Sequence, residues 1–256
     1  MYGDVVDLRE FYASHLGQVV RRLVRRQIRQ MWPDVGGMRV LGIGYATPFL
    51  RPFREEAERA IAVMPAGQGV SFWPPEGPGL VALSEEGELP LPDNCVDRVL
   101  LVHALEFTEH LRPLMREIWR VMAGGGRLIA IVPNRRGIWA RSDVTPFGHG
   151  SPFSPGQLRQ TLRANLFVPE REERALFFPP VRSRFLLAGA GAWEKVGQRW
   201  LPAFAGANIT EASKQIYASA GHAERKRERR LLPAAAAARP ALQPRGHLRL
   251  VYPEKR

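Results

Sequence analysis

Val40-Leu-Gly-Ile-Gly-Tyr-Ala46 is the stretch whose residue types speak most directly of chemistry. Apolar residues lead into a turn with glycines at 42 and 44, and Thr47-Pro48 can open a helix. A strand, a tight glycine turn and a helix start present backbone N–H groups that cradle nucleotide-like cofactors. A nicotinamide fingerprint is disfavoured. Its third glycine position holds Thr47, and Met64 stands 22 residues after Gly42, where an acid belongs. A P-loop is excluded because no Gly-Lys-Ser/Thr follows. Two histidines are placed for proton transfer. His103 closes the apolar run Val96–His103, where it can equally be a satisfied near-core residue, and His149 lies in a Pro-Phe-Gly-His-Gly loop. Arg135 and Arg136 follow the run Arg127–Pro133. They can hold an anion by bidentate hydrogen bonds, form a solvated basic turn, or pair with Glu106.

These residues need strands to carry them. Met38–Ile43, Ala60–Met64, Leu80–Leu83, Val96–His103 and Arg127–Pro133 are short apolar runs of strand length. Between them, 48–59 and 108–122 read as helices, the first starting late, near Arg51, because Pro52 opposes an established helix. Gly124–Gly126 is expected to end the second helix through positive-φ turns. The alternation implies a parallel sheet covered on both faces. Residues 7–32 predict one amphipathic helix. Its apolar face includes Leu16, Val19, Val20 and Ile28, and its other face carries Arg21, Arg22, Arg25, Arg26 and Arg29. Such a helix packs on the domain or docks on a membrane. After Pro133 come a loop, a helix opened by Ser154-Pro155, a strand within 167–179, a helix over 183–203 and a last strand over 206–218.

With 256 residues the chain holds one α/β domain and a tail. The expected divisions are a packed N-terminal helix in 1–35, the main domain in 36–220, and a basic tail without a core in 221–256. That tail carries ten of the 37 Lys and Arg, so much of the +12 net charge resides there. It either solubilises the chain or contacts an anionic surface or nucleic acid. Cys95 is the single cysteine, which rules out an internal disulfide and a multi-thiolate metal site, and the six histidines show no ligand spacing. No apolar run reaches the roughly 18–20 residues of a spanning helix, and the N-terminus lacks a signal pattern, so the expected location is cytoplasmic.

Four stretches resemble the class I S-adenosylmethionine-dependent methyltransferases, in the branch with small-molecule and lipid substrates. Val40–Ala46 resembles the glycine motif after the first strand. Glu85–Asp97, with Leu-Pro-Leu-Pro-Asp-Asn, resembles the acidic and Leu-Pro run before the fourth. Leu114–Leu128, with Arg-Val-Met-Ala-Gly-Gly-Gly, resembles the helix and turn before the fifth, and His149–Leu158 resembles a segment before a late helix. The resemblance covers about 40–165. It implies an α/β, doubly wound, Rossmann-like sheet of seven mostly parallel strands, one antiparallel near the end, with helices on both faces.

It also implies S-adenosyl-L-methionine across the carboxyl ends of the first strands. Gly42, Gly44 and Ala46 would form the cradle, and Tyr45 would cover the methionine part. Met64 falls at the ribose position, and Glu85 or Glu86 would face adenine. His103 would border cofactor and substrate, with His149, Arg135 and Arg136 on the substrate side. Gly42 and Met64 stand where the family has carboxylates. Each charged hydrogen bond is worth about 1.5–3 kcal/mol, so losing a bidentate acceptor weakens binding roughly ten- to a thousandfold. The implied function is methyl transfer to a small molecule or lipid. The alternative is a non-catalytic methyltransferase-like module that binds a partner or regulates.

Overall fold

A computed structural model describes residues 3–181, 183 and 187–216. The expected basic tail therefore lies outside the described residues. The chain begins with two helices rather than the one predicted over 7–32, α1 (Val5–Ala13) and α2 (His15–Met31). The break is at Ser14, whose backbone is extended. Its N–H closes α1 on the carbonyls of Glu10 and Phe11, and its Oγ accepts the Gly17 N–H at 3.1 Å to cap α2. Periodicity alone runs through such a break, because both helices bury the same side of the chain.

Seven strands follow: β1 (Arg39–Gly44), β2 (Arg59–Pro65), β3 (Val81–Ser84), β4 (Val96–Val102), β5 (Met122–Pro133), β6 (Phe167–Ala175) and β7 (Ala207–Lys214). They form one sheet in the order β3-β2-β1-β4-β5-β7-β6, with β7 antiparallel to both neighbours. The order reverses between β1 and β4, which opens a crevice at their carboxyl ends. One face packs on α1, α2 and α3 (Thr47–Arg54) around Trp32, Phe49 and Phe53. The other packs on α4 (Leu111–Val121) and α5 (Pro155–Ala164) around Leu114, Ile118 and Leu158.

Three local expectations change. α3 starts at Thr47, earlier than predicted, and keeps Pro52 inside it. Pro52 has no N–H to give the Pro48 carbonyl. Arg25 Nη2 supplies that donor from α2, at 2.6 Å. The glycine run does not cap α4. The helix ends at Val121, and fully buried Met122 begins β5 at once by pairing with Val96. Gly124–Gly126 lie inside the strand, where the β4–β5 register shifts, and only Gly125 of the three has positive φ. The helix predicted over 183–203 is described as α6 (Ala190–Trp200).

Arg120, in the run before those glycines, binds the Leu-Pro run. Its guanidinium donates to the carbonyls of Leu89 and Leu91 at 3.0 and 2.9 Å and pairs with Asp93 and Glu117. Two sequence runs far apart in the chain are thus one structural unit below the sheet edge. Among the described residues, no helix is long and apolar enough to cross a membrane.

Candidate functional site

The crevice between β1 and β4 is built from backbone first. Gly44 has φ +76°, and a Cβ there would collide with the Val102 carbonyl. Tyr45 N–H donates to that carbonyl at 2.8 Å, so the glycine turn is clamped onto the end of β4. Gly42 serves packing. A Cβ on it would lie 2.6 Å from Leu50 Cδ1 and 2.7 Å from Ala46 Cβ. A side chain there would have to displace Leu50 and crowd Ala46 at the start of α3.

Just past β4, His103 holds φ +50° and is 1% exposed. Its Nδ1 lies 2.9 Å from Glu106 Oε1, and its Nε2 lies 2.8 Å from the Tyr12 hydroxyl of α1. Burial first, then the Glu106 charge and Tyr45, push the Tyr12 hydroxyl well above its ordinary pKa. It therefore stays protonated, and with a neutral imidazole it donates to Nε2 while Nδ1–H donates to Glu106. The Gln68 amide donates to the His103 carbonyl at 2.9 Å. Phe147 packs edge-on to the imidazole at 5.0 Å, and Tyr12 stacks on Tyr45 at 5.6 Å. Burial pushes the Tyr45 hydroxyl up to about 12. Two of the buried acceptors without a partner lie here, Glu106 Oε2 and Gln68 Oε1. An unpartnered buried acceptor is costly, so each is a place where a donor or a cation belongs.

The remaining expected residues are spread around this centre. Met64 is fully buried, with its sulfur 3.4 Å from the Ser71 N–H. Glu85 is exposed. Glu86 is tied to the loop after β4, accepting from Thr108 Oγ1 and the His110 N–H. His149 is half-buried and its Nε2 reaches the Asp143 carbonyl at 3.0 Å, within its own loop. Arg135 and Arg136 are exposed, and Arg135 donates to the Pro152 carbonyl at 3.2 Å. Arg135 borders a groove of about 350 Å³ with Arg112 and Gln157. Glu106, expected as a partner for these arginines, is bound to His103 instead because both are buried at the strand end. Among the described residues, no group of three or more His, Cys, Asp or Glu can hold a metal ion.

The family described as "Methyltransferase domain" matches residues 27–130, from the end of α2 into β5. Over that stretch the chain is similar to this methyltransferase family. No curated protein matches the chain. Solved structures share the fold. A methyltransferase from Thermotoga maritima has a TM-score of 0.56 at 16% identity, covering 82% of this chain and 96% of its own. One from Archaeoglobus fulgidus scores 0.53 at 22% identity, covering 76% and 94%. A Haloferax volcanii protein solved with the Trm112 methyltransferase activator scores 0.58 at 14% identity, covering 80% and 96%. The seven-stranded mixed sheet is the architecture shared with these structures.

Two groups at the crevice bear on the S-adenosylmethionine that the sequence resemblance implies. A sulfonium and an ammonium are cations, and Glu106, whose Oε1 meets His103, leaves its buried Oε2 unpartnered. Ribose hydroxyls are donors, and Gln68 Oε1 is an unpartnered acceptor on the loop after β2. Tyr12 and Gln68 escaped sequence reasoning. The contact from Tyr12 to His103 spans 91 residues, and nothing local marks it. Glu106 carried a weak signal, three residues beyond a strand-ending histidine.

Proposed function

We propose that the chain is a cytoplasmic S-adenosylmethionine-dependent methyltransferase acting on a small molecule or lipid. The observation that carries this reading is the buried Glu106 carboxylate, with one oxygen on His103 and the other unpartnered, at the carboxyl ends of β1 and β4. Glu106 Oε2 and Gln68 Oε1 would hold the cofactor, with the turn at Gly42, Gly44 and Ala46 as its backbone wall. Bound there, S-adenosylmethionine supplies an electrophilic methyl group.

The protein's own part is proton handling and exclusion of water. His103 Nε2 takes the proton from the methyl acceptor once the Tyr12 hydroxyl gives way, and Glu106 steadies the imidazolium that results. Tyr45, Phe147 and Tyr12 keep water from the reacting atoms. His149 is the second base candidate, at the rim, and Arg135 and Arg136 the candidate substrate contacts. Titration calorimetry of the full chain with S-adenosylmethionine tests the reading. Saturable binding that Gln68→Leu and Glu106→Gln each weaken supports it, and no binding at millimolar cofactor by folded protein overturns it.

A second reading is a non-catalytic module on this fold. It is favoured by the buried Met64 in place of a ribose-binding acid and by Tyr12 closing over His103. It predicts that the cofactor neither binds nor raises Tm.

A further inference from the structure

On the other side of Tyr45 lies a cavity of about 300 Å³ between α1, α2, α3 and the loop after β2. The crossover from β2 to β3 has no helix, and residues 66–80 lie there as loop around buried Trp73. Five arginines line the cavity: Arg9, Arg21, Arg25, Arg51 and Arg54. Among the described residues none of the five forms an ion pair. Glu76 is the only acidic residue in the lining.

This arrangement works against the fold when empty. Arg21 and Arg25 are an i,i+4 like-charge pair, which destabilises a helix. Arg25 spends Nη2 on the Pro48 carbonyl, and its buried Nε has no partner. Burial, then Arg21 and Arg51, lower the Arg25 pKa. A face that only needed solubility would interleave acids, as Arg29 has Glu56 one turn further on. The other walls are flat rings: Tyr45, Trp73 and Phe72, the last 66% exposed at the rim.

We propose that this cavity binds a phosphorylated small molecule of mononucleotide size, its phosphates on the arginines and its planar group on Tyr45, Phe72 and Trp73. Guanidinium forks match phosphate oxygens and aromatic faces match a base or similar ring. The volume suits a compact ligand rather than a polymer. S-adenosylmethionine, with its net positive charge, is repelled by five uncompensated arginines. The site is therefore distinct from the crevice at His103, and it stands or falls apart from the methyl-transfer reading.

The test is titration calorimetry of the full chain with ADP, pyrophosphate, adenosine and heparin at moderate salt. ADP is expected to bind with one-site stoichiometry, pyrophosphate more weakly, and adenosine at least tenfold more weakly than ADP. Arg51→Gln/Arg54→Gln, both exposed positions, should weaken ADP at least tenfold with Tm unchanged and S-adenosylhomocysteine binding unaltered. Arg25→Gln, with its melting curve recorded alongside, should do the same more strongly. The proposal is overturned if ADP and pyrophosphate fail to bind at millimolar concentration. Equal affinity in the arginine variants, adenosine matching ADP, or binding of heparin alone overturns it as well.

Discussion

The two sides of Tyr45 differ in charge though they share a wall. Toward β4, a buried carboxylate meets His103, and its other oxygen is unpartnered. Toward α2 and α3, five arginines surround one glutamate. Tyr12 and Tyr45 line the arginine cavity, and Tyr12 also reaches His103. On the proposed readings a cation would enter one side and an anion the other. The lesson is that a glycine motif marks a crevice, whereas the charges around it decide what enters.

The largest effect comes from removing the shared frame. Gly44→Val forces a branched residue to positive φ and against the Val102 carbonyl. Strain and overpacking together cost about 3 kcal/mol or more. Tm should fall by roughly 6–12 °C in calorimetry, with both sites lost together. If only one site is lost, the frame is not shared.

Glu106→Gln sharpens the contrast in charge. It keeps a polar group on His103 and removes the negative charge. Binding of S-adenosylmethionine should weaken by about 1.5–3 kcal/mol, roughly 10- to 150-fold, because a charged hydrogen bond is lost. Neutral-thioether S-adenosylhomocysteine should lose less. Equal losses in titration would mean that the carboxylate does not act on the cationic sulfur.

Tyr12→Phe removes only the hydroxyl that reaches His103. His103 Nε2 loses its donor, and stability should drop by about 1 kcal/mol in denaturant unfolding. S-adenosylhomocysteine should bind no weaker than to the parent chain. Weaker binding would make Tyr12 part of the site rather than its cover.

The smallest effect is remote from both. Glu194, on α6, accepts the Phe177 N–H at 2.7 Å and is pushed by burial up to about 7. A carboxyl raised from its unfolded value near 4.5 stabilises the fold at low pH and loses that contribution as pH rises through about 7. Between pH 5 and 8 the parent Tm should fall more than that of Glu194→Gln. Parallel curves would show that Glu194 is ionised throughout.

Much of the fold was legible because its signals are local. Apolar runs of strand length, the glycine turn and the Leu-Pro and Gly-Gly-Gly runs each occupy a few consecutive residues, and their order implies a parallel sheet with one reversal. The site was legible only in outline. His103 was placed by its strand, since a residue ending an apolar strand arrives at the carboxyl edge whatever the rest of the chain does. Met64 and Gly42 showed what the crevice lacks. The helix break at Ser14 and the early start of α3 escaped, because a cap and a borrowed donor outweigh the propensities that local reading relies on.

Residue order along the chain was therefore enough for the sheet, the glycine turn and the missing carboxylates, all consequences of backbone geometry and short-range pattern. Packing alone decided the partners. Tyr12 on His103, Arg25 on the Pro48 carbonyl and five arginines around one cavity join segments tens of residues apart. Their hydrogen bonds and fields depend on distance in space, which no spacing in the chain encodes.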